Sequence, residues 1–277
     1  MPASQITLFL APTAIQARRA AWEIAVRTAT PLDPPLIFAD PSSAGLWREL
    51  AREAAQKTQS APRLLRADDF FARFHAANAR RRSISGADRL WVLSDVARRV
   101  APQLETLEKP AQSRDFLAGF ADWIAQLRRA NLAEFPAAAP NADELNLLLR
   151  AYETRLETLN AFDFEAAPAL FPHSAARNQA FSWPQTLIVD DLLDPSPALQ
   201  IGLKSLLGRA QSVAATVVCP GGIELENPAL SNALQFWRDC GAKIVRTFDP
   251  TPQTRVAARF LGAETAADAP KNVFLTA

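Results

Sequence analysis

The sequence of 277 residues has little of what defines several protein classes. It contains two cysteines, Cys219 and Cys240, which are too few for a disulfide framework or a four-cysteine zinc site. No apolar run approaches the roughly 20 residues that a membrane-spanning helix needs. The N-terminal residues lack the positive charge that precedes the apolar stretch of a signal peptide. We therefore expect a protein of a reducing, cytoplasmic compartment that does not enter a membrane.

Histidine is equally scarce. His75 and His173 are the only two, and neither has a cysteine or carboxylate nearby at the spacing of a metal site. The chain also lacks the Gly-x-Ser-x-Gly pattern of a serine nucleophile. These absences argue against histidine-dependent nucleophilic catalysis, and we expect no catalytic residue of that kind.

Charge is distributed unevenly along the chain. The net charge is +1, but residues 1–100 hold 15 basic and 9 acidic side chains, whereas residues 101–200 hold 7 basic and 14 acidic ones. Of the 30 basic residues, 25 are arginine, whose planar guanidinium suits phosphate binding. The basic first third is therefore a hint of nucleic-acid binding. An amino-acid bias that raises alanine and arginine together explains the same numbers.

Short apolar runs alternate with helical patterns at both ends of the chain. Strands are predicted at residues 6–10, 36–38, 186–189, 213–218 and 244–245, with a further short one at 273–275. Helices are predicted after the first two strands and at 197–207, 230–240 and 254–261. Strands separated by helices in this way indicate an α/β fold with a parallel sheet and helices on both faces.

The middle of the chain has helical periodicity instead. Apolar stripes at 116–127 and 145–159 predict an all-helical insertion over residues 76–159, which divides an α/β domain made of 1–75 and 160–277. Phe70, Phe71 and Phe74 share one helix face and are interpreted as core rather than as base-stacking residues. The six tryptophans are also interpreted as core.

The turn after the first strand is where a phosphate-binding loop would lie. Residues 11–19 read Ala-Pro-Thr-Ala-Ile-Gln-Ala-Arg-Arg and contain neither the glycines nor the lysine of a P-loop. Thr13 and the helix that follows it could still attract an anion. We expect no tight binding of a nucleoside triphosphate here.

Two carboxylates, Asp190 and Asp191, end the predicted strand at 186–189. In nucleotide hydrolases the first such carboxylate holds Mg²⁺ and the second positions water. Aspartates also end strands as helix caps and turn formers, so the same pattern has a purely structural explanation. Asp190 is the candidate metal ligand if the site is active.

The order of these segments resembles superfamily 1 helicases of the UvrD/RecB type. The stretch 186–200 is similar to their second motif, an apolar strand with Asp-Glu, a further Asp and a Gln, and Asp190, Asp191, Asp194 and Gln200 match that pattern. Residues 160–165 resemble the segment that precedes this motif. Residues 36–44 look like the second helicase strand with its DNA-facing loop, and 66–71 with 84–90 look like the entry to the helical subdomain. The closest similarity is to the helicase-like N-terminal region of the AddB/RexB family.

The resemblance implies a RecA-like sheet with a degenerate nucleotide site. The loop has no Gly-Lys-Thr, Asp191 replaces the usual glutamate, and Leu193 replaces a glutamine. It therefore implies a non-hydrolysing scaffold of a helicase–nuclease in DNA double-strand-break repair, which binds DNA and a partner subunit of the AddA type. No cofactor is expected. The family's C-terminal nuclease domain has no counterpart here, so the resemblance implies an N-terminal fragment or a stand-alone remnant.

A cluster of arginines supplies the candidate DNA contacts. Arg80, Arg81 and Arg82 are consecutive and, with Arg73 nearby, lie between the first helix of the predicted insertion and residues 83–86. Such a run is typical of a loop that contacts phosphates, and equally of a solvated helix end. Two other functions stay open beside the scaffold: a divergent NTPase that uses Mg²⁺ and ATP through Asp190, Asp191 and Thr13, and an interaction module unrelated to DNA.

Overall fold

The computed structural model describes residues 5–28, 30, 33–58, 62–178, 181–219 and 228–247. They form two compact units, each assembled from separate stretches of the chain. The first unit takes Met1–Ala67, Ser182–Pro195 and Leu206–Ala277, and the second takes Asp68–Phe181 and Ser196–Ser205. The predicted insertion, 76–159, lies inside the second unit, which is wider at both ends.

The described residues form eight strands and nine α-helices. The strands in chain order are β1 (Gln5–Ala11), β2 (Leu36–Phe38), β3 (Arg63–Leu65), β4 (Arg82–Ile84), β5 (Ala161–Asp163), β6 (Thr186–Asp190), β7 (Ser212–Val218) and β8 (Lys243–Arg246). The helices are α1 (Ala14–Thr28), α2 (Ala44–Thr58), α3 (Ala67–Ala79), α4 (Gly86–Val100), α5 (Arg114–Arg129), α6 (Ala142–Thr158), α7 (Ala167–Arg177), α8 (Pro197–Leu207) and α9 (Pro228–Asp239). The predicted helix at 254–261 and strand at 273–275 lie outside the described residues.

Six strands of the first unit form one parallel sheet in the order β3-β2-β6-β7-β1-β8. The longest pairing joins β1 and β7 over their full length, from Gln5 opposite Ser212 to Ala11 opposite Val218. This confirms the predicted fold class, an α/β fold with a RecA-like parallel sheet. The central strands are apolar on both faces, as parallel strands covered by helices require.

One face of the sheet is covered by α1 and α2. Because side chains alternate along a strand, every second residue of the sheet faces these helices. A single buried cluster combines sheet residues Phe9, Ile37, Ile188 and Ala214 with Ala21, Trp22 and Ala25 of α1 and Trp47, Leu50 and Ala51 of α2. The side chains of Asp190 and Thr216 lie on this same face, because each is two residues beyond a member of the cluster.

The second unit is built around α4, α5 and α6. The predicted stripes are confirmed as its core, in which Phe120, Ile124, Leu148 and Leu149 are almost fully buried. The prediction of an all-helical insertion is wrong in one respect, because the insertion also contributes β4, which pairs with β5 in a two-stranded parallel sheet. The sequence does not predict β3, β4 or β5, because each has three residues and mixes polar with apolar side chains.

The aromatic residues only partly follow the predictions. Phe70, Phe71 and Phe74 are buried, which confirms their interpretation as core, and Trp22 and Trp47 are buried as well. The same interpretation is wrong for two tryptophans: Trp91 on α4 exposes 62% of its surface and Trp123 on α5 exposes 44%. Both lie beside the apolar stripe of their helix rather than within it.

Among the described helices, none is both long enough and apolar enough to cross a membrane.

Two helical glycines provide a matched test of packing in the second unit. A methyl group added at Gly202 in α8 would come within 2.8 Å of the backbone oxygen of Pro168 and 3.1 Å of Phe71. Backbone cannot give way as a side chain can, so we expect Gly202→Ala to lower the free energy of unfolding by about 1–3 kcal/mol. Urea unfolding followed by circular dichroism measures the effect.

The control is Gly119→Ala in α5, where an added methyl group meets no atom within 4 Å. Alanine is the better helix former, so this variant should gain up to about 1 kcal/mol. Equal stabilities of the two variants would contradict the packing at Gly202.

Candidate functional site

The predicted metal ligand, Asp190, is the last residue of β6 and is directly opposite Thr216 of β7. Its carboxylate is buried, with 2% of the side chain exposed. It therefore lies at the carboxyl end of the sheet, the edge where parallel α/β folds bind their ligands. Asp190 thus ends a strand of the parallel sheet, as predicted from the sequence.

The carboxylate of Asp190 is fully occupied by protein donors. Arg18 Nε donates to both oxygens at 2.9 and 3.0 Å, and its Nη2 lies 2.9 Å from Oδ2. Trp47 Nε1 donates to Oδ2 at 2.9 Å, and the Thr216 hydroxyl donates to Oδ1 at 2.7 Å. A guanidinium thus supplies the positive charge that a bound metal would otherwise supply. We call Asp190, Arg18, Trp47 and Thr216 the strand-end cluster.

The second candidate, Asp191, has a structural contact of its own. Its φ of 48° turns the chain away from the sheet. The Asp191 N–H donates to the carbonyl oxygen of Thr216 at 2.9 Å, and its carboxylate accepts the Val218 N–H at 3.1 Å. Burial raises the pKa of Asp191, the Val218 N–H opposes that shift, and the negative charge of Asp190 adds to it. This carboxylate is held against the end of β7.

The turn that replaces the phosphate loop is closed by its own cap. Thr13 immediately precedes α1, its carbonyl oxygen accepts the Ala17 N–H at 3.2 Å, and its exposed hydroxyl lies 3.1 Å from Gln16 Oε1. The Thr13 hydroxyl also accepts the Gln16 N–H at 3.5 Å, so threonine acts as an N-cap and satisfies one of the first N–H groups of the helix. One turn further along α1, Arg18 reaches Asp190, so α1 connects Thr13 to the strand-end cluster.

The four predicted DNA-binding arginines belong to the second unit and have different surroundings. Arg73 is exposed on α3, and Arg80 is exposed in a left-handed turn with φ of 52°. The Arg81 guanidinium donates to the carbonyl oxygen of Ala161, and Arg82 forms an exposed ion pair with Asp88 at 2.8 Å. The run is therefore a turn between α3 and β4 rather than a helix end, and Arg81 is partly committed to holding β5.

A buried ionic cluster in the second unit was not predicted. Asp163 at the end of β5 accepts hydrogen bonds from Arg89 Nε at 3.1 Å, Arg128 Nε at 3.2 Å and the Tyr152 hydroxyl at 2.5 Å. Arg89 also pairs with Glu165 and is 3% exposed. A sequence signal did exist, because Arg89 shares the buried face of α4 with Val92, Leu93 and Val96, where an unpaired arginine would be costly.

The electrostatics of this cluster point to structure rather than proton transfer. Burial by itself lowers the pKa of Arg89. The negative charges of Asp163 and Glu165 raise this pKa by more than burial lowers it, so it lies above its usual value. Burial raises the pKa of Tyr152, and the charge of Asp163 adds to that shift. Both groups therefore keep their protons, and the cluster connects α4, α5, α6 and β5.

A cleft of about 470 Å³ lies beside this cluster in the second unit. Its charged lining comprises Arg81, Arg128, Glu153, Glu157 and Asp163. Three carboxylates against two guanidiniums do not favour an anionic ligand. Over the ranges that the structure describes, no group of three or more His, Cys, Asp or Glu side chains is placed to hold a metal ion.

A scan against protein-family models found no family that matches this chain, and a search of curated proteins found no similar sequence. The AddB/RexB resemblance therefore stays a prediction that rests on the order of the motifs.

The pairing of Arg18 with Asp190 generates a stability prediction. Arg18→Met leaves the buried carboxylate without its counter-charge, and such a loss costs about 3–5 kcal/mol. Adding Asp190→Asn should recover much of that loss, because the neutral amide oxygen can take the place of Oδ2 and accept from Trp47, while the amide NH2 takes the place of Oδ1 and can donate to the Thr216 hydroxyl. Chemical unfolding of both variants measures the two effects. A single Arg18→Met variant as stable as the wild type would contradict the pairing.

The raised pKa of Asp191 generates a pH prediction. A carboxyl group whose pKa is higher in the folded than in the unfolded protein contributes stability at low pH, which is lost as the pH rises through the folded pKa. Asp191→Asn avoids this loss, keeps an acceptor for the Val218 N–H and tolerates a positive φ. We expect its melting temperature to exceed that of the wild type at pH 7–8.

The advantage of Asp191→Asn should shrink as the pH falls toward 4. Asp194→Asn, at an exposed position four residues beyond the sheet strand, is the matched control. If the difference in melting temperature between Asp191→Asn and the wild type stays constant over this pH range, the pKa of Asp191 is not raised.

Proposed function

We propose that this chain is a non-hydrolysing, helicase-like scaffold of an AddB-type helicase–nuclease. In this role it acts in cytoplasmic DNA double-strand-break repair and binds DNA and a partner subunit of the AddA type. The observation that carries the proposal is the occupation of Asp190 by Arg18 at 2.9 Å.

The strand-end cluster supports the absence of turnover. Hydrolysis of a nucleoside triphosphate needs Mg²⁺ to bridge the phosphates and neutralise the charge that develops on them. Here Arg18, Trp47 and Thr216 donate to the carboxylate that would anchor the ion. The turn at 11–19 also lacks the glycines and lysine that would hold the phosphates. In this proposal the ion pair of Arg18 with Asp190 stabilises a nucleotide-binding type of sheet at the position where such a sheet would bind Mg²⁺.

The exposed arginines support contact with DNA. Arg73 is exposed on α3 and Arg80 in the turn that follows it, and Arg82 is exposed at the start of β4, where it pairs with Asp88. Guanidiniums near phosphates release counterions and so give salt-dependent affinity without sequence preference. Binding without sequence preference suits a scaffold that holds DNA while another subunit moves or cuts it.

Fluorescence anisotropy of labelled single-stranded DNA, at several salt concentrations and with or without Mg²⁺ and ATP, tests the proposal. We expect salt-sensitive binding that ATP leaves unchanged. The combined variant Arg73→Gln, Arg80→Asn and Arg82→Gln should lower the salt slope by about 0.7 for each phosphate that the protein no longer neutralises. Asparagine is used at position 80 because it tolerates the left-handed turn.

The matched control replaces Arg27, Arg48 and Arg52 by glutamine, which removes the same charge from exposed positions of the first unit. It should bind DNA as the wild type does. Binding that responds to ATP, or ATP hydrolysis that requires Mg²⁺, would favour the divergent NTPase instead. No binding even at low salt would favour an interaction module unrelated to DNA.

A further inference from the structure

Trp91 is the most exposed large hydrophobic side chain among the described residues. It leaves 62% of its surface open on α4 and takes no part in the core of the second unit. The buried face of α4 is formed instead by Val92, Val96 and Val100. A singly exposed apolar side chain is ordinary on a protein surface, so what distinguishes Trp91 is its flat aromatic face and the charges around it.

The surroundings of Trp91 are charged rather than apolar. Asp88, Asp95 and Arg98 share its side of α4, at spacings of three, four and seven residues from it. An exposed aromatic face beside positive charge is the combination with which proteins bind single-stranded nucleic acids. The arrangement favours a ligand that combines a flat apolar face with charge.

Positive charge dominates around the indole once the ion pairs are considered. Asp88, one turn before Trp91, binds the Arg82 Nη2 at 2.8 Å. Asp95, one turn after it, binds both Arg99 and Arg155 at 3.0 Å. Each carboxylate is neutralised. Arg98, whose Nε donates to the Ser94 carbonyl oxygen at 3.1 Å, adds a further exposed guanidinium. Four arginines therefore face two aspartates along this side of α4.

We propose that Trp91 is a base-stacking platform for single-stranded DNA, with Arg82 and Arg98 placed on either side of it to contact phosphates. This inference rests on the proposed DNA binding and specifies its strand preference. Asp88, which holds Arg82, and Arg98 are ten residues apart, about 15 Å along a helix, enough for more than one nucleotide. A base can stack on an exposed indole only when its face is free, as it is in a single strand.

Anisotropy titrations with single-stranded and duplex oligonucleotides of one sequence test this inference. Trp91→Ala should weaken single-strand binding by about 5- to 150-fold, the range found when one base–aromatic stack is removed. Its salt slope should be unchanged because no charge is removed, and its duplex affinity should equal that of the wild type. Trp91→Phe, which keeps an aromatic face, should retain most of the single-strand affinity.

Trp123→Ala is the matched control, because Trp123 is the other tryptophan with more than a third of its surface exposed among the described residues. It should bind single strands as the wild type does. Melting curves of all three variants establish whether each is folded. If Trp91→Ala does not fold, Trp91→Phe still tests the inference.

The outcomes separate this inference from the proposed function. If the wild type binds DNA through the arginines but Trp91→Ala binds single strands equally well, the stacking role is wrong and the scaffold proposal stands. If Trp91→Ala weakens duplex and single-strand binding alike, the strand preference is wrong. If the wild type binds no DNA at low salt, both proposals are wrong and Trp91 belongs to a protein interface.

Discussion

The ion pair between Arg18 and Asp190 is the interaction on which the first unit depends. It joins α1 to the middle of the sheet, and through Trp47 and Thr216 the same carboxylate holds α2 and β7. A buried charge is tolerated only when its partners are complete, so these four side chains have to be retained together or replaced together. A metal site would need the opposite arrangement, a carboxylate with oxygens left free. The cluster is therefore a contact that fixes the architecture of the first unit.

The second unit also contains a buried carboxylate, and a different set of donors neutralises it. Asp163 receives Arg89, Arg128 and Tyr152 in a space that solvent barely reaches. Each unit therefore has a buried aspartate at the end of a short strand. One helical arginine neutralises it in the first unit, and two neutralise it in the second. Arginine suits this task because it stays charged when buried and binds with several donors at once.

The parallel sheet was predictable from the sequence because it depends on short-range patterns. Apolar runs such as 213–218 and the helices between them determine the strands, and the alternation of strand and helix determines their direction. The positions of Asp190 and Asp191 were predictable for the same reason. Their partners were not, because Arg18 is 172 residues from Asp190 and nothing local relates the two. A three-residue strand with polar side chains, such as β4, carries too little pattern to be recognised.

The strand order of the sheet also has a consequence for the growing chain on the ribosome. β1 and β2 are made first, yet each pairs with a strand that follows some 150 to 200 residues later, β7 and β6 respectively. At usual synthesis rates this delay is roughly 8 to 40 s. During that time two apolar strands have open edges, while the residues of α4, α5 and α6 are already complete and can fold. We therefore expect chaperones to be needed most while β1 and β2 are exposed, before β6 and β7 have been synthesised.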